Sequence, residues 1–226
     1  MNESLLQSDN AFAQTRLRIS EVFYSLQGEA DTVGCPTIFI RLTGCPLRCS
    51  YCDTEYAFSG GEWMTLAEIQ SLIKQYSTKY VTVTGGEPLA QPDCLSLLTL
   101  LCDEGYTVSL ETSGALSLEK VDSRVCKVMD IKTPTSNESG RNLWENLDFL
   151  KNGDQLKFVV CNEQDYQWSK QQVQQRELNK IVQVVFSPSY GEMDYTQLAD
   201  WVLRDQLPVR FQIQLHKVLW GDQAGK

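Results

Sequence analysis

The sequence predicts an α/β fold built on a mainly parallel sheet. Three observations predict it. Short apolar runs alternate with helical patterns along most of the chain, the signature of strands joined through crossover helices. Several of those runs end in a polar or glycine-rich cluster, as happens where the carboxyl ends of parallel strands line a ligand site. The composition is that of an ordinary globular chain, with 226 residues, 42% of them hydrophobic and 22% charged, enough to bury a sizeable core.

The elements follow in order. Residues 1–16 are rich in Ser, Asn and Gln and read as a flexible segment. Residues 17–226 show no repeat, low-complexity stretch or linker and read as one domain. Strands are expected at Leu17–Tyr24, Thr37–Leu42, Tyr80–Thr84, Thr107–Glu111, Val125–Ile131, Leu156–Cys161, Ile181–Phe186 and Val209–Gln214. A first helix opens at Thr65-Leu66-Ala67-Glu68, a capping-box pattern. Its Leu66, Ile69, Leu72 and Ile73 share one helical face. A second helix, Asp93–Glu104, stops at Gly105. Further helices are expected at Arg141–Leu150, Asn162–Glu177 and Asp194–Gln206.

Charge and hydropathy exclude several classes. With 29 acidic and 20 basic residues the formal net charge is −9. That argues against a nucleic-acid binder, which needs a basic face, and against attraction to anionic membranes. No run approaches the roughly 18 apolar residues of a membrane span. Met1 to Gln14 has neither a basic start nor an apolar stretch, so it does not read as a signal peptide. The eight cysteines are too sparse for a disulfide scaffold. A reducing cytoplasm is therefore expected, with most thiols acting as small hydrophobes. Cys94 and Cys102, about 12 Å apart along one expected helix, read as core.

Three cysteines depart from that default. After the strand Thr37–Leu42 comes Thr43-Gly44-Cys45-Pro46-Leu47-Arg48-Cys49-Ser50-Tyr51-Cys52-Asp53. This C-x3-C-x2-C loop can bring three thiolates to one centre. Zinc and an iron–sulfur cluster both suit thiolates. Zinc wants a fourth ligand, but there is no second C-x2-C pair and the single histidine, His216, lies near the far end. Three ligands on a four-iron cluster leave one iron open, as catalysis requires. After Tyr80–Thr84 comes Gly85-Gly86-Glu87-Pro88. Paired glycines let backbone carbonyls approach a ligand, Glu87 is expected to face an ammonium group, and Pro88 stiffens the turn. Glu111-Thr112-Ser113-Gly114, Asp130-Ile131-Lys132-Thr133-Pro134 and Ser187-Pro188-Ser189 also follow or end strands.

The cysteine loop, with Tyr51 before its last cysteine, resembles the radical S-adenosylmethionine enzymes, whose Gly-Gly-Glu-Pro element holds the methionyl amino group. The resemblance narrows further. Tyr24-Ser25-Leu26-Gln27-Gly28-Glu29, Phe39-Ile40-Arg41-Leu42, Cys45 to Thr54, Thr82 to Pro88 and Leu110 to Gly114 occur in order. Together they are similar to the 7-carboxy-7-deazaguanine synthase family over nearly the whole chain. Leu-Gln-Gly-Glu and Cys-Asp-Thr are the discriminating elements.

The resemblance implies an incomplete (β/α) barrel, a homodimer, and a carbon–nitrogen lyase. The reaction it implies contracts 6-carboxy-5,6,7,8-tetrahydropterin to 7-carboxy-7-deazaguanine with loss of ammonia, on the route to queuosine and related 7-deazapurines. It further implies a [4Fe–4S] cluster, Mg2+, an external electron donor, and S-adenosylmethionine used catalytically, with hydrogen taken from pterin C6 and later returned. Cys45, Cys49 and Cys52 would hold the cluster and Thr54 the Mg2+, a hard cation that prefers oxygen. Leu26, Gln27, Gly28, Arg41 and Thr84 would contact substrate, the Arg41 fork suiting its carboxylate. Tyr51, Cys52, Asp53, Gly86 and Glu87 would contact the cofactor, as would Asp130, Ile131, Lys132, Ser187, Pro188, Ser189 and Tyr190. His216 is open between packing and a substrate role. Two other readings compete: a radical activase acting on a partner protein's glycine, and a non-catalytic zinc or iron–sulfur module.

Overall fold

The computed structural model describes residues 15–226. The flexible segment expected at the start thus falls, over residues 1–14, outside the described residues. Thr15 and Arg16 belong to the fold: the Thr15 carbonyl accepts the Leu66 N–H at 3.3 Å, and Arg16 opens the first strand.

The strands are β1 (Arg16–Leu26), β2 (Pro36–Leu42), β3 (Glu62–Thr65), β4 (Tyr80–Gly85), β5 (Thr107–Thr112), β6 (Cys126–Ile131), β7 (Gln155–Val160), β8 (Gln183–Pro188) and β9 (Arg210–Phe211). The α-helices are α1 (Leu66–Ile73), α2 (Cys94–Asp103), α3 (Glu163–Gln175), α4 (Tyr195–Arg204) and α5 (Leu215–Trp220). One sheet runs in the order β3-β1-β2-β4-β5-β6-β7-β8-β9. β1 pairs antiparallel with β2 and β3, and all pairs from β2 to β9 are parallel. β3 and β9 end the order and, among the described residues, do not pair with each other, so the sheet is open, as expected of an incomplete barrel.

Period-2 alternation gives this sheet two unlike faces. Ile38, Ile40 and Leu42, Val81 and Val83, Met129 and Ile131, and Leu156 and Phe158 belong to the apolar core, together with Leu66, Ile69, Leu97, Leu101, Tyr166 and Leu198 from the helices. Each such side chain, fully buried, stabilises the fold by about 1.5–3 kcal/mol relative to exposure. The alternate positions Arg41, Thr84, Glu111, Asp130 and Lys157 line a cavity instead. The capping box at Thr65 forms as its residues require: Thr65 Oγ1 accepts the Glu68 N–H and Glu68 accepts the Thr65 N–H.

The helix expected at Arg141–Leu150 is two 3-10 turns, Ser139–Arg141 and Trp144–Phe149. Its asparagines bracket other backbone instead of continuing a helix. Asn142 accepts the Lys132 N–H and donates to the Lys132 carbonyl. Asn146 accepts from Leu118 N and donates to the Gly114 and Leu116 carbonyls. The last expected strand shrinks to Arg210–Phe211 because Gln212 turns away to bond Ala30 through both amide atoms, at 2.8 and 3.0 Å.

That last contact belongs to a loop that spans the open sheet. Residues 27–31 leave β1 and cross to the other end of the strand order. Gln27 donates to Thr82 and Glu111 at 3.1 and 3.3 Å. Glu29 pairs with Lys157 at 2.9 Å, and Asp31 takes bonds from Gln155 and Arg210. Side chains rather than strand pairing tie the two ends together.

Candidate active site

Backbone bonds fix the cysteine loop. Gly44, with φ +101°, turns the chain out of β2. Its N–H donates to the Ala57 carbonyl at 2.7 Å and its carbonyl accepts the Glu87 N–H at 2.8 Å. A Cβ on Gly86 would sit 2.4 Å from the Gly44 oxygen and 2.8 Å from Cys45 Cβ, so only glycine permits this approach. On the other side, Ser50 N and Oγ donate to the Ser136 and Thr135 carbonyls, and Glu138 accepts the Arg48 N–H. The turn carrying those carbonyls hangs on the buried Asp165, which accepts the Thr135 and Cys161 N–H groups.

Cys45, Cys49 and Cys52 are free thiols, half-buried, and all three line one cavity of about 480 Å³. Burial pushes the Cys45 thiol up, and pushes Cys49 up to about 11 against the pull of Lys132. Metal coordination is what deprotonates such thiols.

Most expected residues meet at this cavity. Leu26, Gln27, Gly28, Arg41, Tyr51, Asp53, Thr54, Thr84, Gly86, Asp130, Lys132, Ser189 and Tyr190 line it together with the cysteines. Arg41 Nε donates to Glu21 at 2.7 Å, which fixes the guanidinium plane. Thr54 Oγ1 lies 3.7 Å from Cys52 Sγ. Lys132 pairs with Asp130 at 3.2 Å, and Tyr51 is pushed up by burial beside that pair.

Four expected residues do not reach the cavity wall. Glu87 is fully buried. Its carboxylate accepts from Leu89 N, Thr112 Oγ1, and Ser113 N and Oγ at 2.5–3.0 Å. It ties the end of β4 to the end of β5 and lies behind the cavity lining, not at the wall where its carboxylate is expected to meet an ammonium. Ile131, between the inward Asp130 and Lys132, points into the core. Ser187 shares the face of Val159 but is buried, and Pro188 ends β8 beside Val160.

With this geometry in place, comparison with known proteins decides the family. Residues 39–129 match the Radical SAM superfamily. The chain is 42% identical to the 7-carboxy-7-deazaguanine synthase of Chlorobaculum tepidum over 211 residues, covering 92% of this chain and 96% of that protein. It is 40% identical to the protein of the same name from Koribacter versatilis over 92% of this chain and 99% of that one. The chain belongs to the 7-carboxy-7-deazaguanine synthase family. The crystal structure of QueE from Escherichia coli shares the fold, with a TM-score of 0.76 at 23% identity over 95% of this chain and 99% of that one. Membership in this family makes the chain a radical S-adenosylmethionine enzyme, and a [4Fe–4S] cluster and S-adenosylmethionine come with the superfamily. The residues fit both groups: three free thiols share the cavity, and Glu29 Oε1 and Asp130 Oδ1 are buried acceptors with no partner.

The cavity also holds residues given no role from the sequence. Lys157, Glu192 and Lys217 line it, beside Glu29 of the Leu-Gln-Gly-Glu element and the half-buried Glu111 that follows β5's apolar run. Burial, then the neighbouring Glu29, raise the Glu111 carboxyl above the ordinary glutamate value. Lys157 left a signal in the sequence: Gln155-Leu156-Lys157-Phe158 sets polar residues at alternate positions of a buried parallel strand. Helix α5 adds the cover. Leu215 N donates to the Gly28 carbonyl at 3.0 Å, and His216 packs so closely that a Cβ on Gly28 would lie 1.9 Å from its Nδ1. Lys217 reaches Asp53 at 3.6 Å and Asp222 at 2.7 Å.

Proposed function

We propose that this chain converts 6-carboxy-5,6,7,8-tetrahydropterin to 7-carboxy-7-deazaguanine with release of ammonia, as a magnesium-dependent homodimer fed by an external electron donor. One observation carries the reading: a single cavity holds the three thiols and, with them, an arginine fork and a fixed amide suited to a small carboxylated heterocycle. An activase for a partner protein would have no use for those last two groups, and no relative named above carries that activity.

Cys45, Cys49 and Cys52 would hold the cluster. Gly86, Tyr51, Asp53, Asp130, Lys132, Ser189 and Tyr190 would hold S-adenosylmethionine. When bound, these groups supply the means to take one hydrogen atom from the substrate and return it. The chain's own residues bind, orient and exclude water. Gln27 is locked by donating to Thr82 and Glu111 and accepting the Glu29 N–H at 3.2 Å, so it presents the backbone of Leu26 and Gly28 in one geometry. Arg41 offers its remaining nitrogens to a carboxylate. Thr84 donates to Glu111 at 3.1 Å, and Thr54 offers a hydroxyl oxygen to Mg2+ beside substrate oxygens.

The test is anaerobic turnover of reconstituted protein with the tetrahydropterin, S-adenosylmethionine, Mg2+ and dithionite. Contracted product with ammonia is expected. Protein that cleaves S-adenosylmethionine yet leaves the pterin intact would exclude this substrate.

A further inference from the structure

Lys157 stands on β7 facing the cavity, and nothing in the proposed function uses it. Its Nζ lies 2.9 Å from Glu29 Oε2 and 3.6 Å from Asp130 Oδ2. Burial opposes its charge, but Glu29, Asp130 and Glu111 together outweigh burial and hold its pKa well above the ordinary lysine value. It is a fixed cation between two carboxylates. Each carboxylate has its second oxygen, Glu29 Oε1 and Asp130 Oδ1, buried without a hydrogen-bond partner. Buried acceptors of this kind are costly unless a donor meets them. The two sit in different halves of the site. Glu29 belongs to the loop of Gln27 and Gly28, where substrate is proposed to bind. Asp130 belongs to β6 beside Lys132 and Tyr51, where the cofactor is proposed to bind.

A second buried lysine pair shows what a structural bridge looks like here. Lys127 and Asp154, 4% and 0% exposed, meet at 2.9 Å. Asp154 also accepts the Lys127 and Lys151 N–H groups, one on each oxygen. That pair is away from the cavity lining and neither Asp154 oxygen is left over. The Lys157 trio differs on both counts.

We propose that Lys157 is a positioning residue that couples the two ligands, holding Glu29 and Asp130 so that filling one half of the cavity orders the free oxygen of the other. The proposal rests on the functional reading above. Coupling of this kind is reciprocal: substrate must tighten the cofactor by the same factor as the cofactor tightens substrate.

The experiment measures the dissociation constant of S-adenosylmethionine by anaerobic equilibrium dialysis on the cluster-loaded full chain, with and without 6-carboxytetrahydropterin. The wild type should show a coupling ratio of about tenfold or more. In Lys157→Met the ratio should fall close to one, and 5′-deoxyadenosine released per contracted product should rise by about tenfold. Lys157→Arg guards against a failure to fold, since it keeps the charge. Its melting temperature should stay near wild type while the ratio drops, because a planar fork cannot hold both carboxylates as one ammonium does. Lys127→Met should lower the melting temperature and leave the ratio alone. A wild-type ratio in either Lys157 variant overturns the proposal. Wild-type protein that binds both ligands but forms no contracted product overturns the functional reading instead.

Discussion

Glu87 takes four donors into a fully buried carboxylate, so its work is to fix the β4 and β5 ends rather than to touch ligand. Glu87→Gln turns an amide N–H2 toward groups that also donate. That should cost about 1–3 kcal/mol of stability, read by urea denaturation, and weaken S-adenosylmethionine several-fold while iron content stays unchanged. Loss of cofactor binding at unchanged stability would instead mean direct contact. Cys45→Ala should lose the cluster and all reductive cleavage, measured as iron content and 5′-deoxyadenosine. Thr54→Ala should keep the cluster and lose its response to Mg2+, and an unchanged Mg2+ titration would remove Thr54 as a ligand. The Gly-Gly-Glu-Pro sequence made its glycines legible, because close approach is a backbone property. The direction of Glu87 was not, because its donors Thr112 and Ser113 lie about 25 residues away on another strand.

Helix α5 and the loop of residues 27–31 act as one unit over the cavity, joined by Gln212 to Ala30, Leu215 to Gly28 and His216 against Gly28. Gly28→Ala should therefore displace α5, raising KM for the pterin by about tenfold or more. Adding His216→Ala should recover part of that loss by removing the clashing ring, a non-additivity expected of touching residues. The same contact predicts a pH effect. Burial lowers the His216 pKa below its ordinary 6.5, despite the opposing pull of Glu29 and Asp53. A group whose folded value is depressed contributes stability above its unfolded value and loses it as pH falls. The protection factors of the α5 amides should accordingly fall below about pH 6.5, and His216→Gln should flatten that dependence. Neither α5 nor its docking was evident beforehand. A six-residue helix carries little periodicity, and a contact across some 180 residues leaves no local trace.

Across the whole molecule, the strand positions were legible because apolar residues at every second position of β2, β4, β6 and β7 had to meet the helices. The other positions were read less well. Thr82-Val83-Thr84, Val128-Met129-Asp130 and Gln155-Leu156-Lys157 alternate polar or small residues with core residues, in a parallel sheet that would ordinarily be apolar on both faces. That alternation marks a sheet whose second face lines a ligand cavity, and it points to Lys157 as plainly as to Thr84. β3 was missed because an edge strand reading Glu62-Trp63-Met64-Thr65 has no buried face to declare itself. The single histidine and eight cysteines fit such a cavity: its chemistry would be brought by bound groups, and three of its thiols are proposed to hold the cluster. The central claim is that this one cavity sets the hydrogen-abstracting cofactor against the pterin. Turnover with substrate deuterated at C6 tests it most directly. Deuterium should appear in the 5′-deoxyadenosyl group of recovered S-adenosylmethionine while contracted product accumulates. Contracted product formed with no deuterium in that group would contradict the account.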